Sequence, residues 1–206
     1  MLLEGLTAAG CLDRERELHR IAEEGASEFV WTWETEGRAV VVGRSGKIDT
    51  EVNVDACSID DIPMLRRDSG GGTVLIGRGC LNYSLILNFE QRSELRDIAA
   101  SYRIILDALR RSIAVEGIGR EGTDLTFKER KFAGCSQRRF RRTLLHHGTI
   151  LYDFDIDAVS RYLREPMRQP AHRRGRKHAD FLTNCPLPSA FAERLARQFP
   201  EAQTLP

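Results

Sequence analysis

The run RRDSGGGTV, residues 66–74, sets two arginines and a serine directly before three consecutive glycines. Glycines in series let a backbone approach a ligand closely and turn successive N–H groups toward it, which suits phosphate or carboxylate oxygens. A tight turn without a ligand is the plain alternative, and Arg66, Arg67 and Ser69 favour an anion. The run is not a Walker loop, because GxxxxGK[ST] is absent, nor a dinucleotide fingerprint, because no helical pattern follows it. A second stretch, RKFAGCSQRRFRRTLLHHGTILYDFD (130–155), places Lys131 among apolar neighbours in a strand-like run. Taken alone, such a lysine reads as a solvated edge residue. In a desolvated cleft, its ammonium would stabilise developing phosphate charge far better than it does in water.

The elements that must position these groups follow from periodicity. Residues 12–25 combine good helix formers with a terminal Gly25 and predict an amphipathic surface helix. FVWTWE and AVVVGRS read as strands, rich in aromatic and β-branched residues. After the glycines come TVLI and LNYSLILNF, in which Leu81, Tyr83, Leu85 and Leu87 alternate with more polar positions. From 93 to 115, Leu95, Ile98, Ala99, Tyr102, Ile105, Leu106, Leu109 and Ile113 recur at spacings of three and four, predicting a helix with one apolar face. KFAGCSQ and TLLHHGTILYDF read as two strands joined by RRFRR (138–142) at or near a hairpin tip. Asp155 can cap a short helix, DIDAVSRYL, stopped by Pro166, and a last helix starting near Ser189 carries Phe191, Leu195 and Phe199 on one side. Between them, 166–186 reads as a long basic loop, and such loops in compact domains are usually functional or mobile.

With 206 residues, 41% of them hydrophobic, the chain can bury a substantial core, and one domain spanning 1–206 is expected. Its apolar stretches are far shorter than a membrane span, and the first residues carry Glu4 and no basic region, so neither export nor insertion is indicated and the cytoplasm is the expected location. Five scattered cysteines without a CxxC pair read as reduced thiols, not as a disulfide framework or zinc ribbon. The net charge of +1 hides a polarity: residues 1–63 hold 6 basic and 14 acidic groups, whereas 128–178 hold 14 basic and 5 acidic. An anionic ligand or partner is expected for the second half.

Together the two motif stretches resemble the lipoate protein ligase family, grouped with biotin protein ligases and octanoyltransferases. RRDSGGGTV, Asn82, Asp124 with Leu125, RKFAGCSQR and HHGTIL follow one another in that family's order, and VVVGRS upstream and NCPLP at the end extend the likeness over roughly 38–190. The resemblance implies an α+β fold: a large mixed β-sheet and a smaller sheet flanked by helices, of the biotin/lipoate ligase catalytic-domain type. It implies ATP, Mg2+ and lipoate or octanoate, with the acyl-adenylate transferred to a lysine of a lipoyl domain, such as those of 2-oxoacid dehydrogenases or a glycine cleavage H-like protein. By motif position, Lys131 is the catalytic clamp. Arg67, Ser69, Gly70, Gly71, Gly72, Thr73, Asn82, Asp124, His147, Gly148 and Thr149 line the acyl and nucleotide site, with Asp124 also the candidate Mg2+ ligand. Arg173, Arg174, Arg176 and Lys177 fall where larger ligases carry a loop closing over the adenylate.

Departures are specific. Where many ligases follow the glycines with a His-Asp pair and an Asn, this chain has Ile76, Gly77 and Cys80, and Thr123 precedes Asp124 in place of Asn. No C-terminal accessory domain is expected within these residues, so activation could call on a separate accessory subunit. The alternatives are an octanoyltransferase using a cysteine thiol without ATP and a non-catalytic lipoyl-binding relative. Cys80 and Cys135 are the thiols nearest the motifs, and both read as packing residues. RRFRR reads as a soluble hairpin tip or a dock for an acidic lipoyl domain. Phe140 among its arginines keeps nucleic acid in view as a third and unexpected partner.

Overall fold

The computed structural model describes residues 7–25 and 27–205, so Glu4 and most of the leader read above lie outside the described residues. Helix α1 (Ala8–Gly25) leads into β1 (Phe29–Trp33) and β2 (Ala39–Val42), and two short helices, α2 (Ile48–Glu51) and α3 (Val54–Ile59), precede β3 (Met64–Arg66). The glycine run then opens into β4 (Val74–Ile76) and β5 (Cys80–Asn88). Helix α4 (Ile98–Ile113) is followed by β6 (Ile118–Glu121), β7 (Asp124–Phe127), β8 (Arg130–Arg139) and β9 (Thr143–Leu151). The chain ends with α5 (Asp157–Tyr162), α6 (His178–Phe181), α7 (Phe191–Arg197) and β10 (Gln203–Leu205).

Seven strands form one mixed sheet in the order β10-β1-β5-β9-β8-β7-β6, parallel only at β1–β10, and three form a small sheet in the order β3-β2-β4. Alternation along β5 explains the layering. Tyr83, Leu85 and Leu87 pack with α4 and α7 behind the large sheet, while Cys80 and Ile86 join the core shared with α1, the small sheet and α5. The expected α+β class, with a large mixed sheet and a smaller one, is what the chain adopts.

Boundaries moved for physical reasons. The helix predicted over 93–115 is a 3-10 turn at Ser93–Arg96 followed by α4, because the Asp97 side chain accepts from the Ala100 N–H and restarts the helix as its N-cap. The helix expected to begin at residue 12 starts at Ala8. It is less superficial than predicted, since Cys11, Leu12, Glu15, Leu18, His19 and Ala22 are buried. No helix among the described residues is long and apolar enough to cross a membrane.

Candidate active site

Strand register places Asn82, Thr149, Gly134 and Asp124 in one row across β5, β9, β8 and β7, with Ser84, His147 and Ser136 in the next row on the same face. That face looks toward the small sheet, and between them lies a cavity of about 690 Å3. Gly71, Gly72 and Thr73 line one part of its wall, and Lys131, Gly134, His147, Gly148 and Thr149 another. Val41, Val74, Leu75, Ile76, Trp33 and Leu151 supply an apolar section.

The glycine loop is held open from behind. Arg67 is buried and donates from Nε to Ser69 Oγ (3.0 Å), from Nη1 to the Val41 carbonyl (3.2 Å), and from Nη2 to the carbonyls of Gly70 (2.6 Å) and Gly72 (2.9 Å). Ser136 Oγ donates to the Gly70 carbonyl as well, at 2.8 Å. With these carbonyls drawn back, no acceptor among the described residues meets the N–H groups of Gly71, Gly72 and Thr73, which border the cavity. Such a concave set of free amides suits an anion. Gly71 has φ +89°, and a Cβ on Gly43 would stand 2.1 Å from the Gly71 carbonyl oxygen, so both positions need glycine. Burial pushes the Arg67 guanidinium down to about 10 against the opposing pull of Glu15 and Glu51. Arg66 serves the turn instead: its Nη1 donates to the carbonyls of Gly43, Arg44 and Gly46.

Lys131 reaches the same cavity through a β-bulge. Leu125 pairs with Ala133 and Thr126 with Lys131, so Phe132 is an extra residue on β8. In a regular strand, residues three apart point to opposite faces; the bulge puts Lys131 on the face of Gly134 and Asp124. The lysine side chain then lies over Gly134, where a Cβ would be 2.6 Å from Nζ. Its ammonium pairs with Asp124 Oδ1 at 2.8 Å, and His172 Nε2 lies 3.1 Å from Asp124 Oδ2 without hydrogen-bond alignment.

Residues 9–185 match the family model of the lipoyl protein ligase A/B catalytic domain. The chain belongs to that family. A candidate lipoate-protein ligase A of Schizosaccharomyces pombe is 34% identical over 134 residues, covering 64% of this chain and 36% of its own length. The bipartite lipoate protein ligase of Thermoplasma acidophilum superposes with a TM-score of 0.73 at 21% identity, covering 94% of this chain and 83% of that one. A lipoate-protein ligase A solved with ATP gives 0.70 at 21%, covering 95% and 83%. The chain spans 36% to 53% of the length of the first curated relatives it matches.

Within this lipoyl ligase fold, one buried residue escaped the sequence reading. Glu15 of α1 receives His147 Nδ1 at 2.8 Å and the Ser84 hydroxyl at 2.5 Å, while His147 Nε2 lies 2.5 Å from Ser69 Oγ. Its signal was a carboxylate on the apolar stripe of Cys11, Leu12, Leu18 and Ala22. Asn82 donates from Nδ2 to the Trp33 and Cys80 carbonyls at 3.4 and 3.2 Å, beside Thr149.

Of the four loop cations, the fold brings only Arg173 to the cavity wall. Arg173 is itself buried, paired with Glu165 and stacked over Phe181, while Arg176 donates to the Glu129, His172 and Arg173 carbonyls. Arg174 and Lys177 are exposed and stand off it, because a left-handed turn at Arg174 and Gly175 directs the chain outward before α6. The basic hairpin is partly spent on the protein: Arg139 caps the Leu95 and Arg96 carbonyls, Arg142 pairs with Glu90, and Phe140 stacks on His19 at 4.1 Å. Cys135 borders the cavity, but burial together with Asp124 pushes its thiol up to about 12, and burial raises Cys80 further.

Proposed function

We propose that this chain activates lipoate or octanoate with ATP and passes the acyl group to a lysine of a lipoyl domain. The observation that carries this reading is the placement of the Lys131 ammonium and the free Gly71–Thr73 amides on the wall of one cavity. In the first step a carboxylate oxygen attacks the α-phosphorus and the bond to the β-phosphate oxygen breaks, releasing pyrophosphate. In the second, a lysine ε-amine attacks the acyl carbon, the bond to AMP breaks and the amine loses a proton. Both transition states gather negative charge on oxygens, which the preset loop amides and the Lys131 ammonium can stabilise. Lys131 leaves Asp124 for the ligand, and Asp124 keeps it poised meanwhile.

The apolar section around Trp33, Val41, Ile76 and Leu151 suits an aliphatic tail. Arg67 and Ser69 build the amide nest from behind, and His147, Gly148 and Thr149 wall it. Asp124 offers Mg2+ one carboxylate, but both its oxygens face Lys131 and His172, and no cluster of three ligating side chains occurs among the described residues. The protein groups do not by themselves make a metal site, and no step is routed through the ion.

The bipartite relative from T. acidophilum was studied with its lipoyl domain, which supports a lipoyl domain as acceptor. That relative is bipartite, which supports a separate accessory subunit here. An acidic lipoyl domain would meet Arg138 and Arg141, which have no ion-pair partner among the described residues. The test is lipoate-, octanoate- and biotin-dependent exchange of ATP with pyrophosphate, alone and with a candidate accessory subunit. Lipoate-dependent exchange that Lys131→Met lowers about 100-fold or more, with folding retained, is expected. Thioester transfer without ATP would replace this reading with the cysteine mechanism, and binding without either reaction would leave a non-catalytic relative.

A further inference from the structure

Glu15 is joined to the glycine loop by an unbroken line of buried groups. From the loop inward, Arg67 Nε meets Ser69 Oγ at 3.0 Å, Ser69 Oγ meets His147 Nε2 at 2.5 Å, and His147 Nδ1 meets Glu15 at 2.8 Å. Ser69 is fully buried, and Glu15, Arg67 and His147 are buried too. A guanidinium can only donate and a carboxylate can only accept, so with a neutral imidazole one arrangement gives every group along the line a partner. Arg67 donates to Ser69, the Ser69 hydroxyl donates to Nε2, and Nδ1–H donates to Glu15. Were Nε2 to carry the proton instead, Ser69 would receive from both sides, and its own hydroxyl would be left with the Gly70 carbonyl at 3.5 Å. Burial by itself would raise the Glu15 pKa, and the hydrogen bonds that it accepts from His147 and Ser84 oppose this.

We infer that Glu15 is a positioning residue for acyl-adenylate formation, holding His147 as the Nδ1–H tautomer and thereby fixing the glycine-loop carbonyls away from the ligand. The inference rests on the reading of the cavity as an acyl-adenylate site. Its consequence lies at Arg67: a Ser69 oxygen free to accept from Nε keeps the guanidinium in place, and the guanidinium keeps the Gly70 and Gly72 carbonyls turned back. If Nε2 donated into Ser69, the hydroxyl proton would turn to the Gly70 carbonyl and compete there with Arg67 Nη2. Loosened carbonyls could then turn toward the cavity and meet anionic oxygens with charge of like sign.

The experiment is 15N NMR of the full chain with labelled histidine, comparing wild type, Glu15→Gln and Glu15→Leu. Wild type is expected to show His147 protonated on Nδ1 and bare on Nε2. Glu15→Gln keeps that signature because its carbonyl can still accept, whereas Glu15→Leu loses it and shifts the Gly71 and Gly72 amide resonances. Lipoate-dependent exchange in Glu15→Leu should fall about tenfold or more in kcat, with KM for lipoate little changed. A wild-type His147 protonated on Nε2, or a Glu15→Leu variant retaining the wild-type tautomer and glycine amides, overturns the inference. If Glu15→Leu does not fold, wild type and Glu15→Gln decide it: loss of the Nδ1 proton in either overturns it. Wild-type exchange is read in parallel, so failure of the proposed function is seen separately from failure of the tautomer.

Discussion

Replacing Gly134 by alanine would place a methyl carbon 2.6 Å from Lys131 Nζ and 2.7 Å from its Cε, with Asp124 Oδ1 at 3.5 Å. To regain ordinary contact, the ammonium must retreat by about 1 Å, a displacement that can cost about 100-fold in rate at a reacting centre. The fold has little to lose, because the clashing atoms are the far end of a flexible side chain. Alanine for glycine inside a strand contributes about 0.5–1 kcal/mol of stability. The Lys131–Asp124 pair is partly open to solvent on the lysine side, and its loss costs about 1 kcal/mol or less after screening. The net change should stay within about 1 kcal/mol, a shift in melting temperature of roughly 2–4 °C for a chain of this size. Gly148→Ala is the contrasting control: its methyl would meet the Gly134 carbonyl oxygen at 2.4 Å, the Tyr83 hydroxyl at 2.7 Å and Cys135 Cβ at 3.0 Å. Those neighbours are backbone and buried side chains, so overpacking should cost about 1–3 kcal/mol. Thermal melts and lipoate-dependent pyrophosphate exchange on both variants separate the cases. Gly134→Ala exchanging at the wild-type rate, or melting as low as Gly148→Ala, would refute the placement of the lysine.

Cys135→Ser should leave pyrophosphate exchange within about threefold of wild type, since a thiol pushed up to about 12 supplies almost no thiolate at neutral pH; loss of all acyl transfer in that variant would revive the cysteine mechanism. Arg173→Ala should release the loop from Glu165 and Phe181 and speed hydrolysis of the acyl-adenylate, measured as AMP formed without acceptor, whereas Arg174→Ala and Lys177→Ala should not. Burial pushes His146 down to about 3 and His19 down to about 4, against about 6.5 in the unfolded chain. Between those values and 6.5, the unfolded state binds a proton that the native state does not. Stability is therefore full above about pH 6.5 and falls as pH drops, by about 1.4 kcal/mol per pH unit for each histidine. Urea unfolding from pH 7 to 4.5 should show this slope, and His146→Asn should flatten it by one proton.

The hydrophobic periods of α4 and β5 were legible because each runs long enough for its repeat to stand out, nine residues in β5 and sixteen in α4. Strands β3, β6, β7 and β10 hold only three or four residues, too few to show alternation, and β6 and β10 are edges with solvated side chains. The glycine loop could be read because three glycines have few uses beside two arginines. What Arg67 does there could not: its N–H groups go to carbonyls from Val41 to Gly72, and such contacts leave no trace in residue type. Glu15 lay 132 positions from His147, and only its place on an apolar stripe marked it. The loop cations were read as a group, yet local pairing with Glu165 and Phe181 keeps Arg173 at the cavity while a left-handed turn carries Arg174 away.

The extra residue at Phe132 gives β8 a change of parity midway along its length. Before it, one set of alternate positions faces the small sheet; after it, the other set does. Were these same residues to pair in strict alternation without the bulge, the following glycine, serine and hairpin arginines could keep their faces only if the positions before Phe132 exchanged theirs. The lysine would swing through the sheet into the hydrocarbon packed beneath α4. One irregular pairing thus separates a strand that presents a cation to a ligand from one that buries it in oil.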